Sequence, residues 1–196
     1  WLGILPLAQF SSMLRAMKHQ SIISRYLSQS FPQWSSRNQR QYFTVPKTWR
    51  KTLFDTSSLT AQLIAISDGD FSVQVLWQGW RKISPQEAQL LNCKDNQDIA
   101  WCRDVALKVK GNPRVFARTC MPKSTLSGNE CQLKNLGNKP LGAFLFNHPN
   151  MSRGEMSAYR IAPNTLSLSW ARRSVFYLNH KPILVTEAFT QPLPYE

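Results

Sequence analysis

Hydrophobic and polar positions alternate most clearly between Asp98 and Lys110, DIAWCRDVALKVK. Ile99, Trp101, Val105, Leu107 and Val109 fall on one side of an extended chain. Ala100, Cys102, Asp104, Ala106 and Lys108 fall on the other. That period of two predicts a half-buried strand. Arg103 interrupts the apolar side midway. A guanidinium on a core face is costly unless something offsets it, so the pattern raises the question of what meets Arg103.

The same alternation predicts further strands. In Phe71–Trp77, Phe71, Val73, Val75 and Trp77 oppose Ser72, Gln74 and Leu76. Two strand–turn–strand units of similar shape follow. One runs from Ile99 to Lys110, turns at Gly111-Asn112-Pro113 and returns over Arg114–Met121. The other runs over Ser174–Leu178, turns at Asn179–Pro182 and returns over Ile183–Thr190. Both predict antiparallel hairpins. Ser157–Ile161 is a further candidate strand. Helices are predicted over Leu59–Ile66, from Pro85 to Leu91 and from Pro140 to Phe146. The second of these opens with the capping-box string Ser84-Pro85-Gln86-Glu87. The sum is an α+β protein: a single antiparallel sheet with helices packed on one side.

Residues 1–46 depart from this pattern. They are rich in Ser, Gln and Arg and lack Asp and Glu, and Leu2–Lys18 could form a short helix. A targeting presequence, a basic arm and a segment outside the fold all remain open for them. The domain is expected to occupy 47–196.

Composition alters the picture in two ways. The net charge of +13 suggests a polyanion partner, but residues 1–54 alone carry +8, which leaves +5 on the body. Aromatic residues are not interleaved with basic ones, so no base-stacking platform is evident. A small anionic ligand fits the body's balance and nucleic acid is not expected. The four cysteines form no CxxC pair and sit near no His cluster, so no metal is expected. Reduced thiols in the cytoplasm are expected instead. No apolar run is long enough to span a bilayer, so no stable membrane insertion is expected.

The final predicted strand, ILVTEAFT, mirrors the first. Ile183, Val185 and Phe189 share a side, and Glu187 stands among them. Arg103 and Glu187 could form a buried salt bridge. Alternatively, Arg103 could grip a ligand carboxylate in a two-pronged way while Glu187 meets a hydroxyl or an abstractable proton. Leu136-Gly-Asn-Lys-Pro-Leu-Gly142 supplies a third component. With Pro140 at the first helical position, the backbone N–H groups of Leu141 and Gly142 are unpaired at a helix start and could receive an anion. Arg172-Arg173 opens a strand; one of the two faces inward, and Arg173 could neutralise a second anion or sit at a solvated strand end. The serines of PKSTLSG have no base nearby in sequence, and His148 and His180 sit in loop contexts.

WCRDVAL (Trp101–Leu107), VFAR (Val115–Arg118), PKSTLSG (Pro122–Gly128), LGNKPLGAFLF (Leu136–Phe146), WARRSVFYL (Trp170–Leu178) and KPILVTEAF (Lys181–Phe189) occur in that order. Together they resemble the chorismate lyases of ubiquinone biosynthesis, over roughly residues 52–190. The resemblance implies a buried product site closed by flaps and elimination of pyruvate from chorismate to give 4-hydroxybenzoate. It also implies no cofactor, product inhibition and a monomer. It places the ring-carboxylate contact on Arg103, a backbone contact on Leu141 and the hydroxyl-binding acid on Glu187. A further contact falls on Leu59, where the family has Met and where the match requires one inserted residue. The alternative from another class is a small-molecule-sensing domain of the related fold, as in transcription-regulator effector domains. Fold similarity alone does not decide between the two.

Overall fold

The computed structural model describes Leu27 and residues 35–36, 40–93, 98–163 and 166–194. Leu2–Lys18 lies outside the described residues. In chain order the elements are β1 (Ser35–Ser36), α1 (Lys47–Phe54), α2 (Leu59–Ala65), β2 (Phe71–Lys82), α3 (Pro85–Leu90), β3 (Ile99–Val109) and β4 (Asn112–Pro122). They continue with α4 (Leu141–Phe146), β5 (Met151–Arg153), β6 (Ser157–Arg160), β7 (Trp170–Leu178) and β8 (Lys181–Phe189). Short 3-10 segments span Arg40–Thr44 and Gly128–Asn135.

All eight strands belong to one antiparallel sheet in the order β1-β6-β7-β8-β4-β3-β2, with β5 pairing to β7 beside β6. Val105, Leu107, Val115, Ala117 and Phe189 point to the face covered by α1 and α2, whose Leu53, Phe54, Leu59 and Leu63 complete that core. Farther along the same face, α4 sets Leu141 and Leu145 against Met121, Phe176, Ile183 and Val185. The opposite face is closed by Ile161, Leu166 and Leu168 and by α3, whose Ala88 and Leu90 flank Cys102, Cys120 and Leu184.

The capping box forms as the sequence indicates. Glu87 N–H donates to Ser84 Oγ at 3.2 Å and Ser84 N–H donates to Glu87 Oε2 at 2.8 Å. The other oxygen of Glu87 lies 3.3 Å from Arg118 Nε, so the start of the helix is tied to the back of the sheet. Arg118 and Asp104 are each 1% exposed there, and Cys102 and Cys120 face each other across β3 and β4 with Sγ atoms 3.4 Å apart.

Four details differ from the sequence expectation. First, both hairpins close through two-residue turns, Lys110-Gly111 and Asn179-His180, with positive φ at every turn residue. This is the mirror-image geometry that matches strand twist. The first turn therefore ends before Asn112, and Pro113 lies within β4 beside the register shift at Leu107/Lys108, where a missing N–H is tolerated. Second, a bulge between Val75 and Trp77 inserts Leu76, so Trp77 packs on the α3 face rather than beside Val75. Third, Pro140 caps α4 rather than opening it, and no side chain completes the cap. Fourth, β1 pairs with β6 and Val45 is 1% exposed in the core, so the sheet draws on residues before the expected boundary at 46/47. No helix among the described residues is long and apolar enough to cross a membrane.

Candidate active site

The register of the central strands fixes the site. Arg103 on β3 stands opposite Thr119 on β4, Thr119 opposite Val185 on β8, and Val185 opposite Ser174 on β7. One step along the strands, the neighbouring row on the same face reads Val105, Ala117, Glu187, Arg172. Arg103 and Glu187 are thus two strands and two residues apart. At about 4.8 Å per strand and about 3.4 Å per residue, their Cα atoms lie about 12 Å apart.

Between them is a cavity of about 50 Å³. That holds a few waters, at about 10–15 Å³ each. Its floor is the sheet. Its roof is Leu59 and Thr60 of α2 together with Pro140–Phe146. The roof halves meet closely: a Cβ built on Gly142 would stand 2.5 Å from Thr60 Oγ1. All four residues singled out from the sequence, Leu59, Arg103, Leu141 and Glu187, line this one cavity.

Arg103 is 2% exposed. Its Nη2 donates to the carbonyls of Gly137 at 2.7 Å and Lys139 at 3.1 Å, in the loop that leads into α4. Its Nε is buried with no acceptor among the described residues. Burial pushes its pKa down. The guanidinium therefore has hydrogen-bonding capacity left for an anion.

The ion pair of Glu187 runs to Arg172 Nε at 2.6 Å, not to Arg103. Arg172 is 1% exposed, and its Nη1 also donates to Thr52 O at 2.8 Å and Asp55 O at 3.4 Å, which ties the end of α1 to the sheet. Of the two adjacent arginines it is Arg172 that faces the cavity. Arg173 pairs with Ser157 of β6 and points to the α3 side, since β7 carries Trp170, Arg172, Ser174 and Phe176 on the cavity face. The phase of that strand can be read from Trp170 and Phe176.

A further cavity residue, Arg153 on β5, was not marked by any sequence pattern. Its Nε donates to Ser174 Oγ at 2.9 Å and its guanidinium lies 4.7 Å from the centre of the Phe176 ring. Among the described residues three guanidiniums, those of Arg103, Arg153 and Arg172, thus face the cavity against the one carboxylate of Glu187. The rest of the lining is mainly aliphatic and aromatic, including Val105, Leu107, Leu145 and Phe176. The arrangement suits a small, flat ligand carrying more than one negative charge. Among the described residues no cluster of His, Cys, Asp and Glu could hold a metal ion.

A family profile described as chorismate lyase matches residues 31–196. A probable chorismate pyruvate-lyase of Aromatoleum aromaticum is 37% identical over 74% of this chain and 85% of its own length. One from Pseudomonas aeruginosa is 34% identical over 78% of this chain and 89% of its own. One from Marinobacter nauticus is 41% identical, over 60% of this chain and 62% of its own length. Among solved structures, the C-terminal domain of a histidine utilization repressor from Pseudomonas syringae superposes with a TM-score of 0.49 at 9% identity, over 64% of this chain and 95% of that one. A possible transcriptional regulator from Bacillus subtilis gives 0.48 at 11% identity, over 92% and 98%. Likenesses at that level carry no argument about function.

Proposed function

Because the chain belongs to the chorismate lyase family, we propose that it eliminates pyruvate from chorismate to leave 4-hydroxybenzoate, a step toward ubiquinone, and that the cavity over β3, β4 and β8 is where this happens. The observation that carries the reading is the charge layout of the cavity. A buried guanidinium with an unused Nε stands at one end, a carboxylate at the other, and cations exceed anions by two. Chorismate is a dianion with a ring carboxylate at C1 and a hydroxyl at C4.

Arg103, with the Leu141 N–H at the start of α4, where no side chain accepts from the first turn, takes the ring carboxylate. Glu187 accepts a hydrogen bond from the C4 hydroxyl, with Arg172 fixing its orientation. Leu59 closes the cavity from α2. The C3–O bond breaks and its electron pair leaves with the enolpyruvyl oxygen. The C4–H bond supplies the pair that completes the aromatic ring. The proton lost from C4 balances the one gained by the enolpyruvyl methylene, which becomes the methyl of pyruvate. The atoms of chorismate equal those of the two products, so the reaction calls for no redox partner or co-reactant and we propose that it runs without a cofactor. Catalysis then rests on holding the reactive conformer and stabilising shifted charge. Because 4-hydroxybenzoate keeps both anchors, the cavity binds product as well as the ring of the substrate, and product inhibition follows. The reading is of a cytoplasmic monomer with no nucleic-acid partner.

The test is to mix purified protein with chorismate and follow 4-hydroxybenzoate by absorbance and pyruvate by a coupled assay. Both should appear in equal amounts. A folded sample that releases neither overturns the proposal and leaves a sensing domain as the reading.

A further inference from the structure

We infer that Arg153 is the second anion anchor of the cavity and takes the carboxylate of the enolpyruvyl group. The inference rests on the lyase reading and extends it to the half of the substrate that Arg103 and Glu187 leave unaccounted for.

Of the three cations among the cavity's described residues, only Arg153 has both the position and the free donors for that carboxylate. The enolpyruvyl group hangs from C3, beside the C4 hydroxyl, so its carboxylate lies toward the Glu187 end of the ring. Arg103 is at the other end and two strands away. Arg172 is engaged, with Nε on Glu187 at 2.6 Å and Nη1 on Thr52 O at 2.8 Å. Arg153 is at the correct end and is not held by an acid. Among the described residues its partners are the Ser174 hydroxyl at 2.9 Å, the Thr56 carbonyl at a long 3.4 Å, and the face of Phe176. Glu187 and Asp55 act on it only through space.

Its position follows from the sheet. The row that begins with Arg103 ends at Ser174, and Arg153 reaches onto that row from the edge strand through Ser174 Oγ. The two guanidiniums therefore enter the cavity from opposite ends of one row of side chains. Burial, with Arg172 nearby, pushes the pKa of Arg153 down to about 10. A buried cation under that pressure gains from an incoming carboxylate. The stacking of its guanidinium on Phe176 orients it without using its donors.

The experiment separates substrate from product, because 4-hydroxybenzoate lacks the second carboxylate. Arg153→Met keeps most of the apolar stem and removes the charge; Arg153→Lys keeps the charge and loses the fork. For each, kcat/KM with chorismate and the Kd of 4-hydroxybenzoate are measured, with Arg103→Ala as the control. Arg153→Met should lower kcat/KM by about 10- to 100-fold, the range expected when a hydrogen-bonded charge is lost. The Kd of 4-hydroxybenzoate should move by less than about threefold, and Arg153→Lys should recover part of the substrate effect. Arg103→Ala should weaken both ligands. If Arg153→Met unfolds, the Lys variant carries the test through the same contrast between substrate and product. Equal losses for substrate and product would assign Arg153 a merely structural part, and no loss for chorismate would remove it from the site. Either result overturns the inference while leaving wild-type turnover, and with it the lyase reading, intact. A wild-type protein that neither turns over chorismate nor binds 4-hydroxybenzoate overturns both.

Discussion

Replacing Arg172 by Met strands three acceptors at once. Glu187 loses a partner at 2.6 Å, and the carbonyls of Thr52 and Asp55 lose donors at 2.8 and 3.4 Å. The side chains of the pair are 1% and 12% exposed, so water reaches neither freely. Breaking a buried pair by removing one partner costs about 3–5 kcal/mol, and a stranded buried carbonyl adds about 1 kcal/mol. A total of about 4–6 kcal/mol is a large part of the 5–15 kcal/mol that typically holds a domain together. At about 2–4 °C per kcal/mol for a chain of this size, the melting temperature of Arg172→Met should fall by about 10–20 °C. Adding Glu187→Gln removes the uncompensated charge. The double variant should therefore be more stable than Arg172→Met alone, with a coupling of about 2–3 kcal/mol. The assay is a double-mutant cycle in denaturant, with four proteins and one probe. Additivity within about 0.5 kcal/mol would refute the reasoning. So would a cost below about 1 kcal/mol for Arg172→Met, which is what an exposed pair is worth.

In the wild-type background, Glu187→Gln should lower turnover of chorismate more than it weakens 4-hydroxybenzoate. Unchanged turnover would exclude Glu187 as the base and leave direct transfer of the C4 proton to the methylene. Gly142→Ala forces apart the two halves of the cavity roof, where a Cβ meets Thr60 Oγ1 at 2.5 Å. It should cost about 1–3 kcal/mol by overpacking, seen as a lower melting temperature, and an unchanged one would show that Thr60 moves freely. Lys181, hydrogen-bonded at 2.6 Å, and Asn179, at 2.7 Å, pull the Glu130 carboxyl from 4.5 down to about 2. Its contribution to stability is complete above its unfolded value and is lost as pH falls toward 2. Glu130→Gln should accordingly be less stable than wild type near neutrality, with the gap closing between pH 4.5 and 2; a gap independent of pH would rule the interaction out.

Short-range chemistry was legible in the sequence. The alternation around Arg103 gave β3 its faces, and Ser84 with Glu87 marked the start of α3 because a capping box is a local arrangement. Where the strand phase depended on a partner strand, the sequence was silent. The extra Leu76 is an ordinary strand residue, and only its pairing with β3 shows that Trp77 has changed faces. Lys110 is no typical residue for a left-handed turn position, so the sequence pattern starts the turn one residue late and ends it two residues late. Arg172 and Arg173 are adjacent and identical, and choosing between them needs the phase set by Trp170 and Phe176. Arg153 could not be found at all, because a three-residue strand is too short to show a period. The site was thus readable where it lies on long strands and hidden where it lies on an edge.

The strand latest in sequence among those described, β8, occupies the middle of the sheet between β4 and β7. During synthesis β2, β3 and β4 can form their meander first, but Val115–Cys120 then presents an unpaired edge until β8 emerges to fill it. That edge, VFARTC, is rich in β-branched and apolar residues, the kind that recruits foreign strands. That edge stays open until residues 181–189 are available to pair with it. The strand that completes the sheet also carries Glu187, so the sheet closes and the cavity gains its carboxylate end in one event.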